Sequence, residues 1–302
     1  MIFITIWPLF ALICLGFVMM RGGFPEPGFW PAAERVNYFI LFPALLVSSL
    51  SDAPVRDPAI LRLGLAVIVT ICIAAAALAL LRRFVPMPAA RFGPSLQGVV
   101  RFNTYLGLAI TASLAGPAGL ERAAVLLAVA VPLVNVLSII ALTDSGPARR
   151  PVALLRMVLR NPLILACLAG IAIALTGFGL PFGIGKFFAL LAQGSLPLGL
   201  LCVGAALRPA ALRLDMGALA GNGALRLLGM PVLALLIGRA FGLDGVEALV
   251  LVIFCAIPTA PTAYVLTRQF NGDGTYMAGL VTAQTMAAVV TIPLVLLVLG
   301  YG

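Results

Sequence analysis

Two short polar interruptions lie inside long apolar segments of this chain, Phe102-Asn103-Thr104-Tyr105 and Ile257-Pro258-Thr259-Ala260-Pro261-Thr262. Their chemistry is that of holding a ligand, with nothing that makes or breaks bonds. Pro258 has no N–H for the carbonyl of Phe254, and Pro261 has none for that of Ile257, so two acceptors are released within one turn. Beyond them the amides of Thr262, Ala263 and Tyr264 begin a new half-helix. Its partly positive end suits an anion, and Thr259 and Thr262 add hydroxyls. A proline kink braced by neighbouring helices is the structural alternative. In the earlier interruption Asn103 and Thr104 compete for backbone hydrogen bonds, and Gly107 follows one turn later.

Four more residues bear on binding. Arg226 is the one charge near the middle of an apolar segment, which by default marks function or a dedicated partner. It either attracts an anion or pins helices by bonding released carbonyls. Asn135, close behind Pro132, and Gln284 are polar residues deep in apolar sequence; each either joins the site or bridges helices. Arg101 either snorkels to an interface or sits at the mouth of the site. No Asp or Glu lies at the centre of a segment. The chain has no histidine, the commonest proton shuttle and metal ligand. Paired catalytic carboxylates, a nucleophile–histidine arrangement and a phosphate-binding glycine loop are all missing, which argues against an intramembrane enzyme.

The elements that must position these residues are membrane helices. Of 302 residues, 63% are hydrophobic and only 10% charged, a balance outside the range of soluble domains. Apolar stretches of about 20 residues recur, the length that spans a bilayer. Ten spans are predicted, near 2–20, 30–50, 59–81, 96–115, 120–142, 160–177, 184–207, 217–238, 245–268 and 275–299. The start of the chain lacks a charged leader region and a cleavage site, so it reads as a retained first helix. The five cysteines, Cys14, Cys72, Cys167, Cys202 and Cys255, read as small hydrophobes of these helices.

The two interruptions fall in the fourth and ninth spans. Other features also repeat at an offset near 154 residues: Arg21-Gly22-Gly23-Phe24-Pro25 with Gly177-Phe178-Gly179-Leu180-Pro181, and Pro43-Ala44-Leu45-Leu46 with Pro197-Leu198-Gly199-Leu200-Leu201. Pro132 and Pro293 correspond more loosely. The halves are 1–142 and 160–302, joined by a linker at 143–159 that carries Pro147, Arg149, Arg150, Pro151 and Arg156. Five spans per half is an odd number, so the second half is inverted relative to the first. Matched interruptions in two such halves point to a transporter's substrate site. Twelve of the basic residues fall in odd-numbered connections and five in even-numbered ones. By the positive-inside rule the linker is cytoplasmic and both termini lie outside. The net charge of +9 is spread along segment ends as topology signals, which argues against a nucleic-acid partner.

In their order and spacing these residues resemble the auxin efflux carrier family. The resemblance runs along nearly the whole chain. It is carried by Arg101-Phe102-Asn103-Thr104-Tyr105, Pro132 with Asn135, Arg160-Asn161-Pro162-Leu163, Leu196-Pro197-Leu198 with Gly204-Ala205-Ala206-Leu207, and Ala256-Ile257-Pro258-Thr259-Ala260-Pro261 through Tyr264-Val265-Leu266 to Asn271-Gly272-Asp273. It implies the fold of the bile-acid sodium symporters: an all-α polytopic membrane protein of ten transmembrane helices in two inverted five-helix repeats, with broken helices 4 and 9 crossing. Helices 1, 2, 6 and 7 would form a scaffold, helices 3–5 and 8–10 a transport core. The implied substrate site maps to Asn103, Thr104, Thr259 and Thr262. The chain departs from relatives in having Thr262 where they often have asparagine, and Arg226 where they often have lysine.

The expectation is a secondary transporter of a small organic anion, auxin- or malonate-like, in the bacterial cytoplasmic membrane. It would work by alternating access, in the direction of efflux. Its contacts would come from Asn103, Thr104, Pro258, Thr259, Pro261, Thr262, Arg226, Asn135 and Gln284. The bilayer and the anion are the expected partners, with a homodimer through the scaffold helices also open. A sodium ion on released carbonyls is the one cofactor the reading leaves room for. A sodium- or proton-coupled symporter of organic acids, and a channel-like or regulatory membrane protein, are the alternatives.

Overall fold

The computed structural model describes residues 2–143, 150–213 and 215–301, and these are helical apart from short turns. Six helical stretches are apolar and long enough to cross a membrane: Ile2–Arg21, Pro58–Phe84, Ala89–Leu142, Ile184–Ala205, Met216–Ala240 and Gly274–Val298. Two shorter helices, Pro162–Thr176 and Gly245–Ala256, are also apolar. Helices suit this composition because a bilayer offers no water to exposed N–H and C=O groups, so each helix must pair its own.

The chain runs α1 (Ile2–Arg21), α2 (Phe29–Val36), α3 (Phe42–Ser51), α4 (Pro58–Phe84), α5 (Ala89–Val100) and α6 (Thr104–Leu142). It continues with α7 (Pro151–Leu159), α8 (Pro162–Thr176), α9 (Ile184–Ala205), α10 (Met216–Ala224), α11 (Met230–Ala240), α12 (Gly245–Ala256), α13 (Thr262–Gln269) and α14 (Gly274–Val298). A single π-turn, Asn37–Leu41, joins α2 to α3, and another, Leu225–Gly229, joins α10 to α11. Each carries a fully buried polar residue, Asn37 in the first and Arg226 in the second.

Both predicted interruptions are breaks. α5 stops at Val100 and α6 starts at Thr104; α12 stops at Ala256 and α13 starts at Thr262. α6 bends sharply at Gly116 (φ 58°, ψ −150°), just before Pro117. That left-handed φ is open to glycine without steric cost. Two details differ from expectation. The fourth segment begins at Ala89, seven residues earlier than predicted, because Ala89, Phe92 and Leu96 supply a buried face and draw Arg91 into the first turn. The linker also contains a helix, α7, opened by Pro151, a residue preorganised for a first helical position. Exposed Val152, Leu155 and Leu159 recur at helical spacing on it. The linker residues Pro147 and Arg149 lie outside the described residues.

α1 packs on α9, and α3 on α8 and α9; a second group gathers α4, α5 and α6 with α11, α12 and α14. The first group is fastened by close backbone approach. A methyl at Gly16 would strike the carbonyl of Leu201, and one at Gly204 the carbonyl of Ile13. Asn37 donates from Nδ2 to the carbonyl of Ser195 (3.0 Å) and accepts from Ser195 Oγ (2.9 Å). Small residues and reciprocal polar pairs serve where apolar burial cannot tell helix from lipid.

Candidate functional site

The two breaks touch. In an unbroken helix the N–H of Asn103 would bond to the carbonyl of Val99. It instead crosses to the carbonyl of Pro258 (2.8 Å), in the other break. The chains approach closely because residue 107 is glycine; a methyl there would lie 2.8 Å from both the Phe254 ring and Ile257. Phe102 stacks edge-on against Phe254, with centroids 5.5 Å apart.

Four of the carbonyls that the breaks strip of their helical partners, those of Gly98, Val99, Phe254 and Ile257, have new donors. Arg226 supplies three. Its Nε donates to Ile257 (2.7 Å), Nη2 to Phe254 (2.7 Å) and Nη1 to Val99 (2.8 Å). The first two are the acceptors released by Pro261 and Pro258; the third is the one Asn103 abandoned. Gln284 binds the rest of the junction. Its Nε2 donates to the carbonyl of Gly98 (3.0 Å) and to Asn222 Oδ1 (3.0 Å), and its Oε1 accepts from the N–H of Thr259 (2.9 Å). Thr259 Oγ1 donates to the carbonyl of Gln97 (3.1 Å). Arg226, Gln284 and Thr259 are almost wholly buried.

On the other face of the junction is a cavity of about 930 Å3. Asn103, Thr104, Pro261, Thr262 and Asn135 line it, with aromatic walls from Phe39, Phe42, Phe102 and Tyr105. Asn103 caps α6: its Oδ1 accepts from the N–H of Leu106 (3.2 Å). That commitment leaves Nδ2 as the free end of the amide, and Nδ2 is buried with no hydrogen-bond partner among the described residues. Arg101 also lines the cavity, and its Nη1 is likewise buried and unpartnered among the described residues. Two buried donors without acceptors are costly, and here both belong to residues that line one chamber. Exposed Arg35, Arg156 and Arg160 line the same cavity, and among the described residues Glu34 is the one carboxylate on its wall.

Five of the nine residues singled out from sequence therefore reach the cavity: Asn103, Thr104, Asn135, Pro261 and Thr262. The other four, Pro258, Thr259, Arg226 and Gln284, stand behind its wall and hold it in shape. Arg226 has each guanidinium nitrogen committed to a backbone carbonyl, which is the pinning arrangement of the two foreseen for it. Arg101, foreseen either as a snorkelling charge or at the mouth of the site, lines the cavity. Sequence reasoning gave no site role to two other cavity residues: Asn161 caps α8 through the N–H of Leu163 (2.9 Å) and could have been found as an Asn-Pro helix start. Glu34 looked peripheral because it stands one turn inside a segment end.

Ion pairs brace both ends of the second helix group. Arg91 of α5 bonds Asp273, at the start of α14 (2.9 Å), and also Asp215. Arg122 of α6 bonds Glu247 of α12 (2.9 Å) and Glu121 (3.3 Å).

No curated protein matches this chain. Residues 147–296 match the family model described as membrane transport protein, a stretch that holds the second break, Arg226, Gln284 and the Arg160-Asn161-Pro162 helix start. With apolar helices of spanning length and a family of transporters matched across its second half, the chain belongs to the membrane transport protein family, that of the auxin efflux carriers.

Proposed function

We propose that this transporter carries a small organic anion, bound where the two breaks cross, and moves it by alternating access. The observation that carries the reading is a pair of buried donors with no partner among the described residues, Asn103 Nδ2 and Arg101 Nη1, on residues that line one cavity. A carboxylate is an acceptor of the right charge for both. The start of α6 adds the positive end of a helix dipole. Among the described residues four arginines and one glutamate line the chamber, a balance that favours anions over cations. Its apolar, aromatic remainder suits an anion with a hydrophobic body better than a bare dicarboxylate.

The inverted-repeat architecture is part of this proposal, with ten spans in which the helix groups are scaffold and core. The ion pairs support it. In one pair the fourth span brings arginine (Arg91) and the tenth brings aspartate (Asp273). In the other, the ninth span brings glutamate (Glu247) and the fifth brings arginine (Arg122). Exchanging the halves exchanges the two pairs, with signs reversed. The cavity opens beside Arg35, Arg156 and Arg160, the side assigned to the cytoplasm by the arginine distribution. This chamber is then the inward-facing state, in the cytoplasmic membrane of a bacterium with both termini outside. An inside-negative potential is worth about 2.3 kcal/mol per charge at 100 mV, so efflux of a monoanion needs no coupling ion.

Purified protein should be melted in detergent against a panel of organic acids. An aromatic or alkyl monocarboxylate is expected to raise the melting temperature, and Asn103→Asp and Arg101→Gln are each expected to abolish the shift. A panel with no stabilising acid, or a shift that survives both substitutions, would sink the proposal. Counterflow in proteoliposomes then separates a carrier from a channel, because a channel shows none.

A further inference from the structure

Three backbone carbonyls, Val99, Phe254 and Ile257, converge on a single buried positive charge, that of Arg226, at 2.7–2.8 Å. Convergent carbonyl oxygens in a low-dielectric interior make a cation site, because each presents the negative end of its dipole to the same point. Here the cation is attached to the chain. Among the described residues no carboxylate pairs with Arg226; peptide dipoles offset its charge, and Gln284 completes the junction from another side. These three carbonyls, which could otherwise help to hold a sodium ion, are therefore already engaged, and by a group that cannot dissociate. Among the described residues there is also no cluster of three acidic, histidine or cysteine side chains that would serve as a separate metal site.

We infer that Arg226 is a tethered cation that closes the crossover, so that the two breaks are held together without a free coupling cation, and that removing its guanidinium turns the carbonyl cluster into a site for one. The geometry explains the residue type. Two carbonyls come from one break and one from the other, spread around a centre that a planar fork with several N–H donors can reach at once. A lysine ammonium offers a point charge to the same oxygens. Arg226 acts on a bound anion through the peptides it holds, since Val99 and Ile257 are four and three residues from the cavity-lining Asn103 and Ala260; it is a positioning residue. The inference goes beyond the anion reading and does not depend on which anion is carried, or on whether one is.

The test is chemical replacement of the lost group. Wild-type protein and Arg226→Ala are melted in detergent in choline chloride, then with guanidinium chloride or sodium chloride added at about 10 mM. The variant is expected to melt lower than wild type and to regain roughly 3 °C or more with guanidinium, while wild type responds to neither salt. A variant that responds no more than wild type would overturn the inference. Should the alanine variant fail to fold, Arg226→Lys and Arg226→Gln decide the matter. The lysine form is expected to melt near wild type and to ignore added cations; the glutamine form is expected to melt lower and to gain from guanidinium. Equal stability of the two, with no cation response in either, would show that the cluster does not need a charge. Because the readout is melting and not flux, failure here leaves the anion-carrier proposal standing on its own test.

Discussion

Asn103 divides its amide between two tasks, and a substitution can separate them. Asn103→Asp keeps an oxygen to cap α6 but replaces the free donor with negative charge. The fold should survive and stabilisation by an organic acid should vanish; Asn103→Ala should lose the cap as well, at a cost of about 1 kcal/mol. Parallel melting curves with and without the acid read both effects. Gln284 shows the opposite case, a residue whose whole amide is spent on structure. Gln284→Leu would strand the N–H of Thr259 and the carbonyl of Gly98, and each orphan costs about 1–3 kcal/mol. Denaturation in detergent should show that loss; an unchanged unfolding midpoint would mean the breaks do not need Gln284. The sequence shows why the two residues could be named together yet not told apart. Both are polar in apolar surroundings, and only the third dimension reveals which end of which amide is left over.

At the scale of helices, the proline rule was enough to name the carbonyls of Phe254 and Ile257 as released, because that rule is local. It could not name their new donor, which lies 28 and 31 residues away in another segment. The first break was legible only as a run of polar residues, and the release of Val99 follows from Asn103 turning its N–H to Pro258, a contact across the molecule. Many helix ends were legible to within a few residues, though not where burial extended a helix, as at Ala89. α7 was missed because prolines and arginines read as a connection, although Pro151 also opens a helix. One prediction belongs at this scale. Pro258→Ala with Pro261→Ala restores two N–H donors that would compete with Arg226 for the same carbonyls. The protein should insert and remain helical by circular dichroism, while stabilisation by the acid is largely lost. Undiminished binding would reduce the break to a kink. Gly204→Leu makes a contrasting test: its side chain would meet the backbone of α1, so it should destabilise by about 1–3 kcal/mol without changing the cavity.

For the whole molecule, the sign-reversed ion pairs offer a direct test of the repeat. Glu247→Arg sets like charges against Arg122 and should lower stability, and adding Arg122→Glu should recover most of it, a coupling of roughly 0.5–3 kcal/mol. The same exchange between Arg91 and Asp273 should behave alike despite lying at the opposite end; recovery at one end alone would speak against related halves. The tethered charge also bears on how the chain is made. The stretch Met216–Ala240 carries Arg226, and two of the three carbonyls that receive its guanidinium belong to residues synthesised later. When this segment reaches the insertion machinery only one of the three acceptors of its charge, the carbonyl of Val99, has been made, and an arginine at a helix centre costs about 2.5–3.5 kcal/mol there. Met216–Ala240 should consequently enter the bilayer poorly by itself and well once the segment 245–269 has emerged, the two going in as a hairpin. Chains truncated after residue 240 or after residue 270, with a glycosylation site placed beyond Ala240, would show this as partial against complete insertion, and Arg226→Leu should erase the difference.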